Sequence, residues 1–180
     1  MRIISGKYKG RRITAPPHLP IRPTTDMAKE SLFNILNNQF HFSSLQVLDL
    51  CAGMGNISFE FGSRGAVQIT SVDENAGCTK FIQQIAKELD FPITVIKSDI
   101  FNYLEKTSQQ FDVIFADPPY AFEQAQFNTI VQLVFQNKLL NEEGILVVEH
   151  SKNTDLSHHP NYTSTRKYGG SHFSFFEINS

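Results

Sequence analysis

Apolar residues recur along the chain in two rhythms. From Leu45 onward, short apolar runs at Val47–Leu50, Ile69–Val72, Thr94–Ile96, Val113–Ala116 and Ile145–Val148 alternate with longer stretches of helical periodicity, among them Thr79–Leu89 and Phe127–Leu139. Near-continuous apolar strands separated by helices predict a parallel sheet covered on both faces. Upstream, Ala28, Leu32, Ile35 and Leu36 fall at helical spacing. Thr24 or Thr25 is placed to cap that helix, Asp26 suits its first turn, and its end is expected near Phe40. Tyr162–Tyr168 and His172–Ile178 alternate like strands around Gly169-Gly170-Ser171, which predicts a hairpin and an antiparallel pair at one edge of the sheet. Five strands plus this pair make seven.

The first segment reads differently. Two strand-like runs within Arg2–Ile13 flank a turn rich in Gly and Lys, so a β-hairpin is expected there. Pro16, Pro17, Pro20 and Pro23 then impose an extended stretch. The division expected is a basic extension over residues 1–42 and an α/β domain over 43–180.

Composition changes this picture in two places. With 180 residues and 41% hydrophobic side chains, the chain suits one domain with a small extension, and sixteen Phe with no Trp imply a phenylalanine-rich core. The net charge of −2 excludes a uniformly basic nucleic-acid binder, yet residues 1–25 carry six Lys or Arg and no acid. A basic arm on an acidic body points to nucleic acid, although a solvated tail explains the charge equally well. Cys51 and Cys78 form no CxxC motif, and no secretory leader or membrane-length apolar run occurs. A cytoplasmic location with reduced thiols is expected.

The candidate chemistry sits at the ends of the apolar runs. Val47-Leu48-Asp49-Leu50-Cys51-Ala52-Gly53-Met54-Gly55-Asn56 is a strand, a glycine turn and a helix start. In open α/β sheets ligands bind beyond the carboxyl ends of the strands. A dinucleotide fingerprint would want Gly or Ala where Ser58 stands. Asp49 is a poor neighbour for pyrophosphate and a good one for the ammonium of S-adenosylmethionine. Asp73, about twenty residues past the glycine turn, has the spacing of a ribose-gripping acid, with a helix cap as its rival. Asp99, followed by Ile100, is placed to accept from an adenine amino group, again with capping as the rival. Cys51 lies in the cofactor turn as a small buried residue.

Asp117-Pro118-Pro119-Tyr120 closes the fourth run. Asp-Pro-Pro-aromatic arises by chance in roughly one chain in a thousand. The amino group of a nucleobase is a weak nucleophile because its lone pair is delocalised into the ring. Acceptors from the Asp117 carboxylate and the Pro118 carbonyl would localise that pair, the two prolines would stiffen the loop, and Tyr120 would stack on the base. Arg2, Lys7, Lys9, Arg11, Arg12 and Arg22, with Tyr8 interleaved, are the candidate phosphate contacts. His158-His159 has no ligand cluster around it, and Glu149-His150 could be structural or could line the pocket.

Taken together, Arg2 to Arg11, Arg22-Pro23-Thr24-Thr25-Asp26, Glu30-Ser31-Leu32-Phe33-Asn34, Asp49 to Gly55 and Asp117 to Tyr120 resemble the RsmD-like 16S rRNA guanine-N2 methyltransferases of bacteria over nearly the full length. The resemblance implies a class I, Rossmann-like methyltransferase fold, a seven-stranded mostly parallel sheet with an antiparallel last strand, together with a small N-terminal extension. It implies S-adenosylmethionine as cofactor at Asp49, Gly53, Gly55, Asp73 and Asp99, and catalysis at Asp117 to Tyr120. The substrate it implies is 16S ribosomal RNA, free or within a small subunit or its assembly intermediate; a monomer and no membrane association are expected. Met54 stands where the family commonly has a smaller residue. DNA adenine-N6 methylation and a non-catalytic RNA-binding role on the same fold are the alternatives.

Overall fold

In the computed structural model, which describes residues 1–19 and 24–179, the first helix is α1 (Asp26–Asn37). Thr25 caps it by accepting from the Ala28 amide. Then β1 (Gln46–Leu50), α2 (Asn56–Ser63), β2 (Gln68–Asp73), α3 (Ala76–Glu88), β3 (Ile93–Lys97), α4 (Ile100–Lys106), β4 (Phe111–Ala116), α5 (Gln124–Gln136) and β5 (Leu140–His150) alternate as the pattern predicts. The chain ends in the hairpin β6 (Tyr162–Tyr168) and β7 (Ser171–Glu177).

The seven strands form one sheet in the order β3-β2-β1-β4-β5-β7-β6. β1 to β5 are parallel, and β7 runs antiparallel to both its neighbours, β5 and β6. One row of paired residues crosses all seven strands: Ile96, Val72, Leu50, Ala116, Val148, Ser174 and Thr165. Just beyond this row lies the edge where β1 to β5 end and their loops begin.

Strand alternation sorts the core into two layers. Leu48, Leu50, Ile114, Ala116, Leu146 and Val148 face α4 and α5. Val47, Val113, Phe115, Ile145 and Val147 face α1 and α2, where Phe33, Phe42 and Phe61 lie with ring centroids 4.7–6.0 Å apart. Twelve of the sixteen phenylalanines are buried, so the aromatic core expected from composition is present.

Several boundaries differ from the sequence reading: β5 runs Leu140–His150 rather than Ile145–Val148, and α3 and β7 begin earlier than expected. α1 stops at Asn37 rather than Phe40, because the Asn38 and Gln39 amides tighten onto the carbonyls of Ile35 and Leu36. α5 stops at Gln136 rather than Leu139: Lys138 is left-handed (φ 54) and the Leu139 amide reaches back to Val134. The N-terminal hairpin expected from sequence is present but irregular: Arg2 bridges Arg12, and across the turn the amides of Ile3, Gly10 and Ile13 donate to the carbonyls of Arg11, Ile3 and Met1. Other amides bind the body: those of Ile4 and Ser5 donate to the Glu60 carboxylate, and that of Lys7 to the Ser63 carbonyl.

The arm is therefore fastened to the body. Ile3, Ile13 and Leu19 are buried against Phe59, Phe81 and Phe91. Beneath them lies a buried charge pair. Lys29 Nζ sits 3.3 Å from Glu60, and donates to the Arg2 carbonyl and to Asn56 (2.8 Å). Arg64 completes the group at 2.8 Å from Glu60. Because α2 and α3 run away from the edge where β1 to β5 end, the turn at Lys7–Arg11, bonded to their far ends at Ser63, Glu88 and Leu89, lies at the back of the molecule. Met1 and Arg12 remain at the front.

Candidate active site

β1 ends in a turn that only certain residues can make. Gly53 is left-handed (φ 57) with open space where a side chain would stand, which leaves backbone free for a ligand. Gly55 (φ 83) serves packing instead: a Cβ there would meet Phe59 at 2.8 Å and Ile82 at 3.0 Å. The turn opens into a cavity of about 710 Å³ at the edge of the sheet where β1 to β5 end, within the size range of small-molecule sites.

The cavity brings together Asp49, Cys51, Gly53, Asp73, Asp99, Ile100 and Asp117 to Tyr120; Gly55 stays outside its lining. Asp49 is 1% exposed and accepts from the Ser58 hydroxyl at 2.6 Å. The Ser71 hydroxyl lies 2.6 Å from that of Ser58 and must donate to it, since Ser58 has given its proton to Asp49. Burial pushes the Asp49 carboxyl up to about 7; the bonds from Ser58 oppose this, and the charge of Asp73 adds to it.

Asp73 does not cap a helix. Its oxygens accept from the amides of Gly53 (2.8 Å) and Asn75 (2.9 Å), so it braces the glycine turn from β2. Asn75 is the cap of α3, accepting from Cys78. Asp99 caps α4, its Oδ1 accepting from Asn102 (3.0 Å), and it also lines the cavity. The Cys51 thiol is pushed well up, by burial first and then by Asp73, Asp117 and Asp49. It stays protonated at neutral pH and is no nucleophile.

The Asp117 amide donates to the Leu50 carbonyl (3.3 Å), which ties the Asp117–Tyr120 loop to the end of β1. The Phe122 amide closes the loop onto the Pro119 carbonyl (3.0 Å). Pro118 is buried, while Tyr120 is 55% exposed at the mouth. Two wall residues escaped the sequence reading. Phe101 and Phe122 stack at 5.8 Å and 19°, making an aromatic wall beside Asp99. Their signal is positional only: one follows Ile100, the other lies two residues past Tyr120. Asn56 and Thr24 also line the cavity and are joined by a hydrogen bond of 3.3 Å.

Glu149 and His150, undecided from sequence, are buried and lie outside the lining of the cavity. Glu149 accepts from the Thr24 hydroxyl (2.8 Å), which tethers the start of α1 to β5. His150 lies between the Ser151 carbonyl and the Ser174 hydroxyl. His158 is exposed beside Asp155 at 3.3 Å, whereas His159 packs on Phe135 and Phe176.

The basic arm divides. Arg2 pairs with Asp26 (3.3 Å) and Arg11 with Glu88 (2.8 Å). Lys7, Lys9 and Arg12 are exposed and, among the described residues, make no ion pair. Tyr8 is turned inward: its hydroxyl donates to the Leu89 carbonyl and its ring meets Phe91 edge-on, so it is no stacking platform for a base. Arg22 lies outside the described residues. Among the described residues, no helix is long and apolar enough to cross a membrane.

Comparison with known proteins gives a consistent family. Residues 1–177 match the model described as conserved hypothetical protein 95. The ribosomal RNA small subunit methyltransferase D of Haemophilus influenzae is 33% identical over 168 residues, covering 91% of this chain and 85% of that protein. Its Escherichia coli namesake is 30% identical over 150 residues, covering 83% and 74%. A solved structure of a hypothetical protein from Thermus thermophilus superimposes with TM-score 0.85 at 23% identity over 99% of both chains. A Thermus thermophilus 16S rRNA N2 methyltransferase, solved with S-adenosylmethionine and guanosine, matches with TM-score 0.70 at 19% identity, covering 87% of this chain and 44% of that one.

Proposed function

The chain belongs to the conserved hypothetical protein 95 family, which includes the small-subunit ribosomal RNA methyltransferases D, and from this premise we propose that it transfers a methyl group from S-adenosylmethionine to the exocyclic N2 of a guanine in 16S ribosomal RNA. The observation that carries the reading is the convergence of Asp117 to Tyr120 with Asp49, Asp73 and Asp99 on one cavity.

The donor set fits the cofactor. S-adenosylmethionine offers an ammonium, a ribose diol and an adenine amino group, and the cavity offers a carboxylate at the ends of three adjacent strands: Asp49 on β1, Asp73 on β2 and Asp99 after β3. Asp49 would hold the ammonium, Asp73 the ribose hydroxyls and Asp99 the adenine amino group, against the Phe101–Phe122 wall, with Ile100 beside the ring and Cys51 and Gly53 as the floor. When bound, the cofactor supplies a methyl group on a positively charged sulfur. Every other part of the chemistry falls to the protein. Asp117 and the Pro118 carbonyl accept from the two N2 hydrogens, which localises the lone pair toward the methyl group. Asp117 can then take the proton that N2 sheds. Pro119 stiffens the loop, and Tyr120 stacks on the base at the mouth.

In this reading residues 1–42 form the RNA-facing extension and 43–180 the transferase domain, acting as a cytoplasmic monomer on free RNA, on the small subunit or on its assembly intermediate. Methyl transfer from labelled cofactor tests it, comparing 30S subunits, naked 16S RNA and duplex DNA. Label on guanine N2 of the RNA supports the proposal. Label on DNA alone, or on none of the three, overturns it.

Cofactor affinity should rise roughly fifteenfold between pH 5.5 and 7, because a carboxyl titrating at about 7 must lose its proton to hold the ammonium. Calorimetry at both pH values should show this, and Asp49→Asn should flatten the profile; an unchanged slope in that variant would remove Asp49 from the ammonium site. Neutralising Lys7, Lys9 and Arg12 together as glutamines should lower the slope of log Kd against log salt by about 2, at ~0.7 for each single-strand phosphate no longer neutralised. Substitution is a cleaner test than deleting the arm, since deletion would strip buried Ile3 and uncover Glu60. An unchanged slope counts against the arm as an RNA contact.

A further inference from the structure

The arm leaves a question of geometry. Its turn at Lys7–Arg11 is bonded to the far end of α2, an eight-residue helix about 12 Å long, and so lies behind the catalytic edge. RNA whose target base enters the cavity needs phosphate contacts nearer the mouth.

The opposite end of the sheet supplies candidates. β6 is the edge strand, and because β7 is antiparallel to both β5 and β6, β6 ends at the same edge as the catalytic loop. Its first four residues, Tyr162 to Thr165, are uncharged; Arg166 and Lys167 follow as the strand reaches that edge. The residue pairing fixes their level. Arg166 is opposite Phe173, which is opposite Glu149; Lys167 is opposite His172, which is opposite His150. Glu149 is one residue past Val148, the partner of Ala116, and Asp117 directly follows Ala116. Arg166 thus stands level with Asp117, three strand spacings away, or about 14 Å.

Lys152 joins them from the turn just after β5. Lys152, Arg166 and Lys167 are exposed, and among the described residues none makes an ion pair. The stretch 156–176 has no Asp or Glu in a chain that is acidic outside its first 25 residues. Asp155, the acid of the preceding loop, is already engaged by the Ser157 amide and hydroxyl and by His158. Cations placed only to protect an edge strand from pairing would serve anywhere along β6. These are confined to its catalytic end, beside the small, open turn Gly169-Gly170.

We propose that Lys152, Arg166 and Lys167 form a second phosphate-binding surface, on the side of the cavity away from the arm, so that the RNA strand crosses the catalytic edge of the sheet with its target base turned down between the two. The inference rests on RNA being the substrate. Phosphate contacts of this kind position the strand without reading its sequence.

The test compares the parent with Arg166→Gln/Lys167→Gln, and with Lys106→Gln at the opposite edge as a control. RNA affinity and methyl transfer are measured on the same 16S RNA from 50 to 300 mM salt, with cofactor affinity and thermal midpoint alongside. The double variant is expected to lose about 1.4 from the salt slope and roughly tenfold in RNA affinity near 0.15 M salt. KM for RNA should rise while kcat at saturating RNA, cofactor affinity and the midpoint hold, and Lys106→Gln should match the parent. A double variant with the parent's slope and KM overturns the second surface while leaving the methyltransferase reading intact. A parent that neither binds nor methylates RNA overturns both.

Discussion

Asp117→Ala is expected to lower kcat for methyl transfer by at least ~10³-fold while changing the KM for RNA and the affinity for cofactor by less than about threefold. The carboxylate acts on the amino group as it becomes nucleophilic, so its loss removes an interaction made mainly in the transition state, and such losses fall on kcat. Removing one preorganised polar group from a transition state costs about 10²–10³, and loss of the proton acceptor adds to that. The scaffold should survive, because the loop is held by backbone: the Asp117 amide on Leu50 and the Phe122 amide on Pro119 persist in the variant. Asp117→Asn keeps an acceptor oxygen without the charge and should fall between parent and alanine. Single-turnover rates on saturating RNA separate the cases. A variant as active as the parent would end the assignment, and a loss confined to KM would make Asp117 a binding residue.

The second large effect concerns stability. Glu60→Ala should destabilise the protein by about 3–5 kcal/mol, the usual cost of breaking a buried ion pair from one side. Glu60 is fully buried and gathers Lys29, Arg64 and the amides of Ile4 and Ser5. Its removal strands a lysine 1% exposed, whose ammonium burial already disfavours, with Glu60 the main compensating charge. For a chain of this size the thermal midpoint should drop by ~10 °C, at about 2–4 °C for each kcal/mol. Protease should then cut the arm before the body, because Ile4 and Ser5 lose their anchor. A drop below ~2 °C would show that the network contributes little.

The alternating part of the fold was legible because periodicity is local. Each apolar run from Val47 to Val148 became a strand, and Tyr162–Tyr168 became β6 with its bounds unchanged. The site was legible for a related reason: in a parallel sheet the ends of successive strands share one edge, so Asp49, Asp73, Asp99 and Asp117 could be grouped before any distance was known. What failed depended on contacts distant in sequence. The hairpin expected at Arg2–Ile13 formed, but its fastening to Glu60 and Ser63, more than fifty residues on, has no local signal. Tyr8, expected to face RNA, was claimed by Leu89 and Phe91. Gly55, grouped with the cofactor residues, is also held to glycine by the packing of Phe59 and Ile82. The opposed fates of Asp73 and Asn75 at the start of α3 turned on which carboxylate or amide met the Cys78 amide, a choice their near-identical shapes conceal.

The place of β7 bears on how the molecule is made. It lies between β5 and β6 but follows both in the chain. During synthesis, therefore, β5 waits with one side unpaired, and the stretch Ile145–Val148 within it is wholly apolar. Such an edge invites pairing with other chains. The nascent protein can fold its front half early, but the sheet closes only when Ser171–Glu177 has cleared the ribosome and slid into the gap. A chain stalled or cut before Ser171 would carry a complete cavity on a sheet with a sticky flank, and aggregation rather than lost chemistry would decide its fate.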